Sequence, residues 1–157
     1  MPNPKFMEIA LKEAYAGLRK GDGGPFGACL VRGGVVVAVG HNEVLKTADP
    51  TRHAEICAIQ RAARKVGRPH FTGCELYSTT EPCVMCFAAI NWAQIRRVYF
   101  GTSVRDVRRL GFNELVISNR RLKSLGGSGV DIVPRFMRAE CQELLEFWSR
   151  LPGKKTY

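Results

Sequence analysis

The chain has 157 residues, 45% of them hydrophobic and 24% charged, a make-up that fits one folded domain and argues against a disordered chain, a fibrous chain or two domains of ordinary size. Its 24 lysines and arginines against 14 acidic side chains give a formal charge of +10, which suits a nucleic acid or a phosphorylated partner without requiring one. No apolar run approaches the ~20 residues that span a bilayer and no apolar leader opens the chain, so a cytoplasmic protein with no membrane partner is expected.

From Pro4 to Lys20, residues Phe6, Ile9, Ala10, Ala14 and Leu18 recur at helical spacing and predict an amphipathic helix. Gly21-Asp22-Gly23-Gly24-Pro25 breaks it. Phe26–Val31 and Val35–Val39 are apolar, β-branched runs around Gly33-Gly34, the pattern of a hairpin. After a loop at Thr47–Pro50, His53–Val66 reads as a second helix stopped by Gly67 and Pro69. Cys74–Thr79 reads as a strand, Cys83–Ala93 as a third helix with proline at its start, and Val98–Phe100 as a fourth strand. Beyond Gly101 the pattern predicts a short helix near Val104–Leu110, a glycine-rich loop, a brief strand at Val130–Val133 and a closing helix from about Phe136 to Arg150. Strands alternating with helices imply an α/β fold with a sheet between helix layers.

Basic residues cluster at Arg61, Arg64, Lys65 and Arg68, at Arg96 and Arg97, at Arg105, Arg108 and Arg109, and at Arg120, Arg121 and Lys123. The runs are short and carry no interleaved aromatics, so they read as solvated faces unless the fold makes them converge.

Six cysteines in a chain without a secretory leader fit a reducing compartment, where a close pair is more often metal-binding or redox-active than a disulfide. Cys83 and Cys86, three apart at a helix start, put two sulfurs on one face. The partial positive charge of a helix N-terminus favours their thiolates. His53, opening another helix, supplies a third ligand and leaves one tetrahedral position for water. Glu55 lies two residues further on, where a regular helix would turn it away from His53. The pair works together if His53 sits outside the helix proper. Glu55 is then placed to take a proton from a metal-held water and pass it to a substrate nitrogen and a leaving amine. Two rivals stand beside this reading: a Cys83–Cys86 redox couple, and a closed site in which Cys57, four residues after His53, is the fourth ligand.

His53-Ala54-Glu55 and Pro82-Cys83-Val84-Met85-Cys86 resemble the H-x-E and P-C-x-x-C signature of the cytidine deaminase superfamily of zinc-dependent deaminases. Pro25-Phe26-Gly27-Ala28, His41-Asn42, Asp49-Pro50-Thr51 and Thr80-Glu81 follow that family's order through most of the chain. The resemblance implies a three-layer α/β/α fold with a five-stranded mixed sheet, one zinc ion per subunit, and water activated at the metal attacking the carbon that bears an amino group. Within the superfamily the chain is similar to bacterial guanine deaminases. Phe26 stands where transfer-RNA adenosine deaminases usually carry a smaller aliphatic residue, Gly111-Phe112-Asn113-Glu114 resembles an acidic Gly-Phe motif, and Lys154-Lys155-Thr156-Tyr157 resembles an aromatic C-terminus. Asn113 replaces the first of the two acidic residues common after Gly-Phe.

By that resemblance Glu55 and Glu114 would be acid/base groups, and Asn42 and Ala54 would hold the base. Phe26 and Trp92 would line its pocket, and Tyr157 would cap it. The implied reaction is hydrolysis of guanine to xanthine and ammonia in a homodimer whose C-terminal segment is exchanged between subunits. A transfer-RNA adenosine deaminase is the alternative within the family, and a non-catalytic zinc-stabilised nucleic-acid-binding module is the alternative outside it.

Overall fold

The computed structural model describes residues 2–157. Strand β1 (Gly27–Arg32) turns through Gly33-Gly34 into β2 (Val35–His41). Both turn residues have positive φ, 55° and 79°, which glycine adopts without the Cβ clash that other residues meet. β1 pairs antiparallel with β2 and with β3 (Cys74–Thr80), while β3, β4 (Arg97–Thr102) and β5 (Asp131–Pro134) run parallel, in the order β2-β1-β3-β4-β5. This is the five-stranded mixed sheet that the resemblance implied.

Among the described residues seven helices complete the fold: α1 (Pro4–Lys20), α2 (Val44–Thr47), α3 (Ala54–Val66), α4 (Val84–Trp92), α5 (Val104–Arg109), α6 (Asn119–Gly126) and α7 (Arg138–Ser149). Alternate side chains of β1 face opposite layers. Ala28 and Leu30 join Ala58 of α3, Ile90 of α4 and Leu122 of α6, whereas Cys29 and Val31 join Met7 and Ala10 of α1 and Leu144 of α7. Cover on both faces explains why β1 is apolar at nearly every position rather than alternating.

Two glycines set how closely the helices approach. A Cβ on Gly27 would strike the Ala10 carbonyl of α1, and one on Gly40 would strike the Ala54 carbonyl and the Ala58 amide of α3. Backbone cannot retreat as a flexible side chain can, so Gly40→Ala is expected to destabilise the protein by about 1–3 kcal/mol, measured by urea unfolding. The same substitution shifts the start of α3, so it should weaken zinc retention as well.

Several boundaries differ from the sequence reading. α4 begins at Val84 with Cys83 as its N-cap, so Pro82 precedes the cap instead of occupying the first helical position. α7 starts at Arg138 because Met137 is left-handed, with φ 50°. α2 and α6 were not anticipated. α6 is basic, with Leu122 and Leu125 its only large apolar residues, and it is fixed by the Ser118 cap on the Arg121 amide and by its stop at Gly127.

Candidate active site

Helices α3 and α4 aim their N-termini at the same point, and the three candidate ligands sit there. His53 is the N-cap of α3, with extended backbone at φ −69° and ψ 159°, so its ring leaves the helix while Glu55 stays inside the first turn. That resolves the two-residue spacing. Cys83, also extended at φ −64° and ψ 174°, caps α4, and its Sγ accepts from the Cys86 amide at 3.5 Å. His53 Nδ1 lies 3.5 Å from Cys83 Sγ and 3.6 Å from Cys86 Sγ. Sulfur and nitrogen ligands of one tetrahedral zinc ion, with bonds of about 2.3 and 2.0 Å, stand about 3.5 Å apart. The donors therefore match a single zinc ion held through Nδ1 and two thiolates.

The electrostatics agree. Its hydrogen bonds with Cys86 and His53 outweigh burial and hold the Cys83 thiol at about 4, whereas Cys86, paired to Cys83 and buried, is pushed well above the usual thiol range. The two sulfurs share one proton, with Cys83 as thiolate. Cys57 takes no part: its Sγ lies 3.7 Å from Glu43 Oε2 and from the Arg52 carbonyl, and among the described residues the donor cluster holds three members. The four-ligand site is thus not formed, and a tetrahedral ion keeps an open position.

Glu55 is buried, and burial followed by the neighbouring Cys83 charge raises its carboxyl above the usual range. Ser78 Oγ lies 3.0 Å from Glu55 Oε1 and 2.7 Å from the Thr80 carbonyl. One hydroxyl proton serves both neighbours in turn: it is given to ionised Glu55, or to Thr80 while Ser78 accepts from protonated Glu55. Ser78 is therefore suited to a group that cycles between protonation states. Ser78→Ala should lower kcat about fivefold, the worth of one ordinary hydrogen bond, with KM nearly unchanged, read from steady-state rates across pH.

A cavity of about 300 Å³ opens over the ligands, lined among others by Phe26, His53, Cys83, Phe112, Glu114 and Tyr157. A smaller recess joins Glu55 and Glu114 to the same point. Burial, then Cys83, raises Glu114 to about 7, so two carboxyl groups with raised proton affinity face one cavity. Phe112 forms the central wall, packing against Phe26 at 5.3 Å, Trp148 at 5.0 Å and Tyr157 at 5.2 Å between ring centroids. Tyr157 is fastened at both ends: its hydroxyl accepts from the Gly24 amide at 3.1 Å, and its backbone carbonyl accepts from the Asn113 amide at 3.0 Å.

Asn42 is buried with Oδ1 accepting from the Gly24 and Val44 amides at 3.3 and 3.1 Å, which fixes its orientation. Its Nδ2 has no hydrogen-bond partner among the described residues, a buried donor left for something else. Ala54 opens α3 with its methyl in the core, leaving its backbone amide as its polar contribution at the helix N-terminus.

Asn42, Ala54 and Trp92 are not among the residues lining the cavity, and Trp92 departs furthest from expectation: it is 80% exposed, because α4 carries it eight residues, about 12 Å, from its ligand end. Sequence reasoning also passed over Ser78 and the Gly24 amide. Ser78 looked like an ordinary inward strand position, and a glycine amide leaves no side-chain signal.

An α/β/α sheet with a Cys-Cys-His donor set at two helix N-termini, a buried carboxyl group at Glu55 and a half-buried one at Glu114 defines a zinc-dependent hydrolase of amino-bearing substrates. Residues 2–102 match the family of the cytidine and deoxycytidylate deaminase zinc-binding region, and the chain belongs to that family. It is 38% identical over the full length of both chains to the guanine deaminase of Bacillus subtilis (strain 168). It is 42% identical to the tRNA-specific adenosine deaminase of Aquifex aeolicus (strain VF5), over 60% of this chain and 62% of that one. The structure of the guanine deaminase from Nitrosomonas europaea superposes with a TM-score of 0.85 at 28% identity, covering 96% of this chain and 87% of that one.

Proposed function

We propose that the protein hydrolyses free guanine to xanthine and ammonia. The observation that carries this reading is the place of Tyr157. Stapled to Gly24 and Asn113, it lines a cavity walled by Phe26 and Phe112, so the tail adds an aromatic side for a lone base and narrows the room for a base still attached to a nucleic-acid strand. The full-length similarity to a guanine deaminase supports the same choice.

His53, Cys83 and Cys86 would hold the zinc ion, which supplies Lewis acidity toward water at the open position. Glu55 takes the proton from the attacking water and delivers it to a ring nitrogen. Burial, then the neighbouring Cys83 charge, raises its proton affinity above that of an ordinary carboxylate, which suits a group that accepts a proton and passes it on. Glu114, near 7, is a second acid/base group for the proton that leaves with the amine. The Asn42 amide donates to the carbonyl oxygen of the base, and burial beneath Tyr157 strengthens that bond. Phe26 and Phe112, packed edge to face on each other, form one aromatic wall for the ring to lie against.

The chain also works as a homodimer in this reading. Trp92, Leu115 and Leu125 are large apolar side chains exposed on one protomer, and a second copy would cover them. Exchange of the C-terminal segment would keep the Tyr157 contacts while supplying them from the partner. All six cysteines are free thiols, which suits a cytoplasmic place in purine metabolism.

The test is ammonia release by zinc-loaded protein from guanine, guanosine, adenine, cytosine and an anticodon stem-loop. Release from guanine alone is expected. Release from the stem-loop alone, weakening steeply with salt, would transfer the activity to transfer RNA. A mass from light scattering tests the dimer.

A further inference from the structure

A second crevice, of about 330 Å³, opens beside the metal site, across the Glu81-Pro82 segment. It lies at the carboxyl ends of the parallel neighbours β4 and β5, where open α/β sheets most often take ligands. Arg120, Arg135 and Arg138 line it together with Ser118. These arginines come from separate parts of the sequence, and only the fold makes them converge.

The charge there is not answered by the protein. Arg138 pairs with Asp106 at 2.9 Å, and Arg120 and Arg135 form no ion pair among the described residues. The carboxylate lining the crevice, Glu81, is already engaged: Oε1 accepts from the Asn119 amide at 2.8 Å and Oε2 from the Val104 amide at 3.3 Å. The segment that brings two of the arginines round is strained. Arg135 and Met137 have φ of 64° and 50°, a left-handed backbone that costs a non-glycine residue about 1 kcal/mol or more.

We propose that this crevice binds the terminal phosphate of a small phosphomonoester. Two unanswered guanidiniums match a phosphate dianion in charge, and their planar forks match its oxygens in geometry. The lining is compact and its one aromatic ring, Phe100, is buried, unlike the open groove with stacking platforms that follows a nucleic-acid strand. The site neither uses nor requires guanine chemistry at the metal.

Titration calorimetry of the zinc-loaded protein with inorganic phosphate, a nucleoside 5′-monophosphate and an RNA stem-loop tests this. Saturable binding of phosphate and of the monophosphate is expected, one per chain. Substituting Arg120→Ser and Arg135→Ser together should weaken it at least about tenfold, the cost of losing charge-assisted hydrogen bonds. The pair Arg64→Ser and Arg68→Ser removes the same charge from exposed positions outside the crevice and should leave binding unchanged. Equal weakening by both pairs would reduce the effect to net charge, and weakening by neither would place the phosphate at the metal. Either result, or stem-loop binding that depends on Arg135 without phosphate binding, overturns the proposal.

Discussion

Replacing Glu55 by alanine is expected to leave about one zinc ion per chain and to lower kcat by roughly a thousandfold or more, within the range assigned to a positioned proton-transfer group. The cluster that could hold the metal is His53, Cys83 and Cys86, and Glu55 is hydrogen-bonded to Ser78 instead, so deleting its carboxylate is expected to remove no ligand. Two measurements separate the roles: zinc by metal analysis, and ammonia release in a single-turnover experiment. Zinc retained with turnover lost supports the proton carrier. Zinc lost with turnover would make Glu55 part of the metal site, and turnover retained would pass its work to Glu114, which shares the recess. Glu55→Gln sharpens the test, because the amide keeps the size and the contact with Ser78 but cannot accept a proton. Recovery of activity in Glu55→Gln would sink the assignment.

Cys86→Ala is expected to abolish zinc binding under dialysis, and turnover with it. Cys86 is fully buried in the first turn of α4, and its loss leaves two donors, too few to exclude water or hold the tetrahedral geometry. The intact site also predicts a proton count. At pH 7 Cys83, at about 4, is already a thiolate, while Cys86 is still protonated. Hydrogen bonding to Cys83 raises the proton affinity of His53 against the effect of its burial, so protons compete with zinc at the imidazole as well. Zinc uptake should therefore release at least one proton from these groups, read by calorimetry in buffers of different ionisation enthalpy. As pH falls, protons compete for the same three donors, so zinc is held at neutral pH and lost toward acid. Uptake with no proton released would show that Cys86 is not the protonated partner described above.

The sequence by itself determined the candidate donors His53, Cys83 and Cys86, with Cys57 left as a rival fourth, and the alternation of strands and helices; the five-stranded sheet came with the family resemblance. Cys83 and Cys86 are bound to one face of one helix by their spacing, and the H-x-E and P-C-x-x-C patterns name their partner. The hairpin was legible because Gly33-Gly34 sits between two β-branched runs. Short-range rules suffice for such features, since each depends on a few neighbouring residues. The closing parts of the chain were less legible. α6 carries too few apolar residues to show a period, and the start of α7 is set by a left-handed Met137 that no propensity would place there.

What only the tertiary structure decided is which distant groups meet. The extended backbone at His53 reconciles its ring with Glu55, an arrangement that helical periodicity alone argues against. Asn42 became a binding candidate in its own right through one unpartnered buried nitrogen, and Tyr157 through two hydrogen bonds to residues far away in sequence. Trp92 moved the other way, since the rise of α4 carries it out of the pocket on its own chain. Arg120 read as part of a solvated basic run, and only β5 and its strained exit bring Arg135 and Arg138 to the same crevice. Local chemistry is written in spacing of a few residues, whereas pockets are made by contacts across the sheet, and those are fixed by packing of the whole core.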